Sequence, residues 1–128
     1  MCGGKAQGGT EGYFYEPTIV SGIKEGVKLW DEEQFGPVLP ITPYSDDDEA
    51  VQRANASEMG LDESVWSSDP SAAADLAARL EAGTVWVNQH TDLTGAPFGG
   101  FKHSGIGREL GNADISTFTE SQTLSLAK

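Results

Sequence analysis

Residues 64–88 read SVWSSDPSAAADLAARLEAGTVWVN. Ser64–Ser67 and Thr84–Asn88 carry β-branched and aromatic residues typical of short strands. Between them, Asp69 is suited to cap a helix and Pro70 to fill its first position, where a missing N–H does no harm. Apolar residues then recur at the i, i+3, i+4, i+7 spacing of one helix face, and these are Ala73, Leu76, Ala77 and Leu80. Gly83 is expected to end this helix. Strand, helix and strand with short joints predict a right-handed βαβ unit with parallel strands, so the fold class is α/β.

Further elements are predicted on both sides of this unit. Tyr13–Val20 is strand-like, with Pro17 favouring an edge position or a strand start, and Val38–Tyr44 is a second β-rich run. Ser45 is predicted to cap an acidic helix that runs to about residue 55. At the end of the chain, Gln122–Leu126 alternates apolar and polar residues, a pattern that predicts a half-exposed strand.

Composition and charge narrow the functional class. The chain has 128 residues, with 8 basic and 20 acidic side chains and a net charge of −12. This acidic balance disfavours nucleic acid and anionic membrane surfaces as partners, because phosphate binding needs clustered Lys and Arg. The sequence has no apolar run of the roughly 18 residues that a membrane span requires, no basic leader and no internal repeat. We therefore expect a soluble, cytoplasmic chain in which residues 1–128 form a single domain.

Few side chains qualify as catalytic groups or metal ligands. Cys2 is the only cysteine, which excludes a disulfide framework, and the lack of a neighbouring base favours an inert thiol. His90 and His103 are candidates for acid–base chemistry, but two histidines and one cysteine do not make a zinc ligand set. The run Asp46–Glu49 lacks the oxygen spacing of a calcium loop and is interpreted as a solvated helix start.

Glycine is enriched at 16 of 128 residues, against about 7% on average. The stretch Gly99–Gly111 contains Gly105-x-Gly107, which resembles the opening of a dinucleotide-binding fingerprint. Its third glycine comes one residue late and no strand directly precedes it, so the phosphate-binding interpretation fails. A bent loop, whose glycines allow positive φ or close backbone approach, is the better prediction.

The segment Asp31–Val38, DEEQFGPV, is the most informative candidate for binding. Glu33 lies two residues before Phe35 and a Gly-Pro turn, which places a carboxylate and an aromatic face together on a rigid corner. Such a corner can accept hydrogen bonds from a sugar diol while the ring packs beside it. The alternative is an exposed acid next to a buried turn phenylalanine, and the residues themselves leave both interpretations open.

Several motifs together carry a family resemblance, and they follow one another over essentially the whole chain. They are Gly12–Ile19 (GYFYEPTI), Glu33–Val38 (EQFGPV), Arg53–Asn55 with Gly60-Leu61, Glu81–Asn88 (EAGTVWVN), Pro97–Glu109 (PFGGFKHSGIGRE) and Thr119-Glu120. In order and spacing they resemble the NAD(P)-dependent aldehyde dehydrogenases. The resemblance implies a partial aldehyde-dehydrogenase-like catalytic domain, its C-terminal part, ending in an edge strand and lacking a Rossmann domain.

The same resemblance implies roles for four residues. Glu33 would hold the ribose hydroxyls of the nicotinamide half of NAD or NADP, and Phe35 would pack near the nicotinamide. Leu93 and Phe98 would line the tunnel for the aldehyde. The family's nucleophilic cysteine, its general-base glutamate and its cofactor-phosphate site have no counterpart in this sequence.

Two departures from the family pattern mark the second half of the chain. The loop Asn88–Pro97 is about one residue shorter than common family versions. Asp62 and Glu63 follow Gly60-Leu61 where the family usually has small residues entering a buried strand. Two carboxylates would be costly there if fully buried and unpaired, so the local packing is expected to differ.

These observations support more than one functional hypothesis. The first is a C-terminal portion of an NAD(P)-dependent aldehyde dehydrogenase, an oxidoreductase, that has no turnover as an isolated chain and binds nucleotide weakly at best. The second is a non-catalytic interaction module that forms homo-oligomers when the strand Gln122–Leu126 pairs with another chain. The third is a chain that complements a separately encoded N-terminal half.

Overall fold

The computed structural model describes residues 3–6, 8–9, 11–91 and 93–127. Cys2, the one cysteine, lies outside the described residues. The chain divides into two compact units, Met1–Asp46 and Asp47–Lys128. Within the described residues, none of the helices has the length and apolar character needed to cross a bilayer.

The first unit is built on a pair of parallel strands. Strand β1 spans Thr18–Ser21, helix α1 spans Lys28–Asp31 and strand β2 spans Val38–Ile41. Thr18 pairs with Val38 at the start of the ladder. Both predicted strands are therefore confirmed but shorter than expected, and β1 begins directly after Pro17, which has no N–H to donate. Thr18 is buried, and its hydroxyl accepts a 2.8 Å hydrogen bond from the amide of Gly4 and donates one of 2.7 Å to the carbonyl of Glu16.

The second unit contains the predicted strand–helix–strand motif. Helix α2 spans Asp47–Asn55, and strands β3 and β4 span Met59–Gly60 and Asp62–Val65. Helix α3 spans Pro70–Ala77, strand β5 spans Thr84–Val87, strand β6 spans Phe101–Lys102 and helix α4 spans Asp114–Thr117. β4 and β5 pair in parallel in the register Asp62–Thr84 to Val65–Val87, and β3 pairs antiparallel with β6. The predicted parallel pair is confirmed.

Helix α3 begins as predicted and ends earlier. The Asp69 side chain caps it by accepting hydrogen bonds of 2.9 and 3.2 Å from the amides of Ser71 and Ala72, and Pro70 occupies the first turn. The helix ends at Ala77, and the amide of Leu80 bonds the carbonyl of Ala77, a tightened last turn. The prediction that Gly83 ends the helix is wrong. A Cβ on Gly83 would collide with the carbonyl oxygen of Gly99, so glycine is needed there for close backbone approach.

Among the described residues, the buried apolar side chains belong to the second unit. They are Val51, Ala73, Ala77, Ala82 and Trp86. Val51 lies on α2. Of the predicted stripe, Ala73 and Ala77 are buried on α3, Leu76 is half-buried, and Leu80 lies beyond the end of the helix. Many larger apolar side chains of the described residues remain exposed, Phe35, Ile106 and Phe118 among them.

The predicted C-terminal edge strand is not formed in this structure. Gln122–Leu126 has no regular secondary structure, and Leu124 and Leu126 are 80% and 81% exposed. An isolated extended segment has no neighbour for its backbone N–H and C=O groups. An alternating sequence predicts the face of a strand, and the strand itself requires a pairing partner.

Candidate functional site

The Glu33–Phe35 corner lies between α1 and β2. Gln34 holds the backbone where the chain passes from α1 into the corner. The Gln34 Nε2 donates hydrogen bonds to the backbone carbonyls of Glu32 at 2.9 Å and Lys28 at 3.4 Å. Glu32 is the C-cap of α1, and its amide donates to the Lys28 carbonyl at 2.9 Å, so the Gln34 side chain adds a second donor to that carbonyl. The exit is fixed by the amide of Thr18, which bonds the carbonyl of Pro37 at 2.7 Å as the ladder of β1 and β2 begins.

Both candidate ligand groups of this corner face solvent. Phe35 is 94% exposed, so the alternative of a buried turn phenylalanine is wrong. Glu33 is exposed, and within the described residues its carboxylate has no hydrogen bond or ion pair. The neighbouring Glu32, by contrast, lies 3.4 Å from the Lys28 ammonium. The corner therefore presents a free carboxylate and a free aromatic face two residues apart.

The glycine-rich segment forms a closed loop, as predicted. Phe98 and Glu109 exchange two backbone hydrogen bonds of 2.7 Å at its base. Inside it, Nη1 of Arg108 donates to the carbonyls of Gly100 at 3.0 Å and Gly107 at 2.7 Å. Phe98, the candidate aldehyde contact, is half-buried at the point where this loop begins.

The loop is also tied to β3 and to the end of α2. The Ser104 hydroxyl accepts a 3.0 Å hydrogen bond from the amide of Gly60. The Lys102 ammonium donates to the carbonyl of Asn55 at 2.8 Å and lies 3.1 Å from a carboxylate oxygen of Glu81. These bonds hold the middle of the loop against β3 and the end of α2.

Residues 88–97, which we call the 88–97 segment, connect β5 to this loop. Asn88 starts it with a φ of 54°, a left-handed conformation that asparagine tolerates better than most residues. The Leu93 carbonyl accepts a 3.1 Å hydrogen bond from Ala96, and the Thr94 carbonyl accepts one of 3.2 Å from Gly111. The Leu93 side chain is 51% exposed.

The two unexpected carboxylates, Asp62 and Glu63, stand at the start of β4. The Asp62 side chain is 22% exposed, and its Oδ2 lies 3.6 Å from Nε2 of His90. Glu63 is half-buried, and loss of solvent on burial raises its pKa above the ordinary range. The nearby Lys102 ammonium opposes this rise in the pKa of Glu63, while the negative charges of Asp62 and Glu81 add to it. Both carboxylates are thus partly and not fully buried, and Asp62 lies beside an imidazole.

The candidate residues fall into two groups. Glu33 and Phe35 lie together on one corner of the first unit, and Leu93 and Phe98 lie at two places along one connection in the second unit. Sequence reasoning missed that Asp62 and His90 are neighbours. The available signal was the departure of Asp62 from the family pattern, which marked the position without naming its partner. Among the described residues, no three His, Cys, Asp or Glu side chains are grouped closely enough to hold a metal ion.

Comparison with known proteins places these features in a family. The sequence model of the aldehyde dehydrogenase family matches residues 1–124. Phenylacetaldehyde dehydrogenase of Pseudomonas fluorescens is 46% identical over 129 aligned residues, which cover 99% of this chain and 26% of that protein. Retinal dehydrogenase 2 of Gallus gallus is 40% identical over 98% of this chain and 24% of its own length. The chain thus spans about a quarter of the length of the curated relatives it matches.

Solved structures agree with the sequence matches. An aldehyde dehydrogenase of Mycobacterium tuberculosis, complexed with NAD+, superposes with a TM-score of 0.87 at 38% identity and covers 93% of this chain and 25% of that one. Succinic semialdehyde dehydrogenase of Streptococcus pyogenes, in complex with NADP+, superposes with a TM-score of 0.83 at 36% identity, over 91% of this chain and 26% of that one. The mixed α/β fold is therefore that of part of an aldehyde dehydrogenase domain, and the chain belongs to the aldehyde dehydrogenase family.

Proposed function

We propose that this chain is the C-terminal portion of an NAD(P)-dependent aldehyde dehydrogenase, where it supplies part of the walls of the cofactor and aldehyde sites. The observation that carries the proposal is the corner in which Glu33 has a free carboxylate and Phe35 an exposed ring. A carboxylate with no partner beside an exposed ring suits a ligand that offers hydroxyl donors and an apolar face. The Mycobacterium tuberculosis and Streptococcus pyogenes structures were determined with NAD+ and NADP+, respectively.

The corner fits the nicotinamide half of such a cofactor. An ionised carboxylate accepts hydrogen bonds only, and it can take both hydroxyls of a ribose diol. The Phe35 ring, 94% exposed, offers an apolar face beside it. When bound, the cofactor supplies a hydride acceptor. Glu33 and Phe35 then orient the ring that receives the hydride.

The aldehyde side is assigned to Leu93 and Phe98. Both residues are apolar, and neither is fully buried. Leu93 lies between β5 and the glycine-rich loop, and Phe98 lies where that loop begins. Apolar side chains in such positions exclude water and shape the space for a carbonyl substrate. Leu93 and Phe98 carry no acid or base, and the family's nucleophilic cysteine and general-base glutamate have no counterpart in this sequence, so the chain by itself is proposed to have no dehydrogenase turnover.

A chimera tests this proposal directly. The segment of the Pseudomonas fluorescens enzyme that aligns with this chain is replaced by residues 1–128, and NAD reduction is followed with several aldehydes. We expect turnover in the chimera and none in the free chain. Glu33→Gln in the chimera should raise KM for NAD about tenfold, because a charge-assisted hydrogen bond is worth about 1.5–3 kcal/mol. The matched control Glu32→Gln should leave KM unchanged.

A second function, self-association through Gln122–Leu126, is also supported by an observation. This segment is exposed and has no regular secondary structure, and its two leucines are at least 80% exposed. An extended segment with free backbone groups can add as a strand to the sheet of another chain. Light scattering on the free chain measures this. We expect a species larger than the 13.6 kDa monomer and a monomer after Leu124→Asp with Leu126→Asp. A monomeric wild-type chain would contradict it.

A third possibility is complementation of a separate N-terminal half. In this proposal the Glu33–Phe35 corner binds the cofactor, as in the first. The difference is that two separate chains must form a stable complex. Co-purification of the free chain with the remaining three quarters of a relative, expressed separately, distinguishes it. Recovery of turnover on mixing would support complementation, and recovery only in the covalent chimera would exclude it.

A further inference from the structure

Asp62, Trp86 and His90 form a cluster beside the parallel pair β4–β5. In the ladder, Asp62 lies opposite Thr84 and Ser64 lies opposite Trp86. Side chains at partner positions, and at positions two residues further along, point to the same face of a sheet. Asp62 and Trp86 are therefore diagonal neighbours on one face.

His90 connects these two residues. It follows the end of β5 by three residues, and its ring centroid lies 6.0 Å from that of Trp86 with the planes tilted by 53°. Its Nε2 lies 3.6 Å from Oδ2 of Asp62. The chain thus turns back after Asn88, and the His90 imidazole lies against the face of the β4–β5 pair that carries Asp62 and Trp86.

Two buried polar atoms of the cluster have no hydrogen-bond partner in the described residues. They are Oδ1 of Asp62 and Nε1 of Trp86. A buried carboxylate oxygen without a donor carries a desolvation cost, which an adjacent positive charge offsets. Protonated His90 is such a charge, and the Asp62–His90 contact is an ion pair only in that state.

In the part of the chain that the structure describes, the nearby Lys102 and the second histidine have carboxylate partners of their own. Lys102 on β6 lies 3.1 Å from Glu81, and both act on Glu63, the residue after Asp62. The second histidine, His103, lies 3.3 Å from Glu58. The His90 side chain itself is 64% exposed.

We propose that Asp62 is a positioning residue that holds protonated His90 against Trp86, and that this contact sets the conformation of the 88–97 segment. The segment is held at Asn88 by the side-chain bonds to Ser67 and at Thr94 by Gly111, and among its described residues His90 supplies a further contact between these two points. The contact is an ion pair only while His90 is protonated. The segment is therefore held in that protonation state and released when His90 is neutral. The link to aldehyde binding rests on the proposed function, because it needs Leu93 in the site.

Nuclear magnetic resonance on the full 128-residue chain tests the tether without cofactor or aldehyde. The indole N–H resonance of Trp86, assigned by Trp86→Phe, should shift with pH in step with the ring protons of His90. In Asp62→Asn the two should no longer move together, and amides of the 88–97 segment should exchange about two- to fivefold faster at low pH, the range expected for an ion pair of modest strength.

Two further variants make the result decisive. Glu58→Gln removes the carboxylate partner of the other histidine and should leave the Trp86 titration unchanged. His90→Gln replaces a largely exposed side chain, so folding is retained, and it should abolish the Trp86 titration even if Asp62→Asn disturbs β4. A Trp86 resonance that still titrates in His90→Gln, or that responds equally to Glu58→Gln, would overturn the proposal.

The chimera separates this inference from the proposed function. If both hold, Asp62→Asn should change the pH dependence of KM for the aldehyde and leave KM for NAD unaltered. A chimera without turnover, together with an intact Trp86–His90 titration in the free chain, refutes the proposed function and keeps the tether. Turnover with no pH-linked effect of Asp62→Asn on KM for the aldehyde refutes the role of the tether in substrate binding.

Discussion

The side chain of Asn88 closes a ring of two hydrogen bonds with the backbone of Ser67. Its Oδ1 accepts from the Ser67 amide at 2.8 Å, and its Nδ2 donates to the Ser67 carbonyl at 2.9 Å. Ser67 follows β4 and Asn88 follows β5, so the ring extends the parallel ladder beyond its last backbone pair. It joins the two strand ends at the point where the 88–97 segment begins.

Asn88→Ala should destabilise the second unit by about 2–3 kcal/mol, because two backbone groups lose their partners and alanine must adopt a positive φ. Asn88→Gly removes the same side chain but accepts the φ of 54° without strain. It should therefore cost less than alanine, and urea unfolding followed by circular dichroism measures both. Equal losses would show that the backbone conformation contributes nothing.

Glu63→Gln should raise stability at neutral pH. The pKa of Glu63 is raised mainly by burial, so the folded chain binds more protons than the unfolded chain as pH increases above about 4, and stability falls through this window. Glutamine does not titrate, so the variant does not lose stability over this pH window. The gain in the free energy of unfolding should stay below about 1 kcal/mol, because solvent screens a half-exposed group, and should vanish below the window.

The control for this prediction is Asp75→Asn, an exposed carboxylate on α3. Unfolding free energies of the three proteins are compared at acidic and neutral pH. A gain for Glu63→Gln that is equally large at pH 3 would contradict the linkage.

Gly83→Ala should destabilise the chain by about 2–3 kcal/mol, since a Cβ there meets the backbone of Gly99 and backbone cannot rotate away. Gly95→Ala is the matched control: nothing lies within 4 Å of a Cβ at that site. Thermal unfolding should show a lower Tm for the first variant and an unchanged or slightly higher Tm for the second. Equal Tm values would argue against close packing of the glycine loop on Gly83.

Asp69→Ala should cost about 1 kcal/mol through loss of the helix cap, while Asp69→Asn should cost little, because asparagine caps nearly as well. The Asp69 carboxylate accepts from two amides in the first turn of α3. Chemical denaturation distinguishes the two variants. A large loss in both would indicate that the charge of Asp69, and not its capping geometry, stabilises α3.

Local sequence determined the elements whose signals are contained within a few residues. Three such signals are the cap at Asp69, the apolar stripe of α3 and the β-branched residues of β5. Each acts through neighbours along the chain, so the sequence alone predicts it. The Glu33–Phe35 corner belongs to this class as well, because a Gly-Pro turn restricts its own backbone.

Tertiary structure decided what depends on residues far apart in sequence. The approach of Gly99 to Gly83, the pairing of Asp62 with His90 and the raised pKa of Glu63 each require two segments to meet. The alternating pattern of Gln122–Leu126 predicts a strand face, yet no strand forms there, because a strand consists of hydrogen bonds to a neighbour that the pattern cannot supply. Sequence thus determines which faces a segment offers, and only the fold determines which groups lie against them.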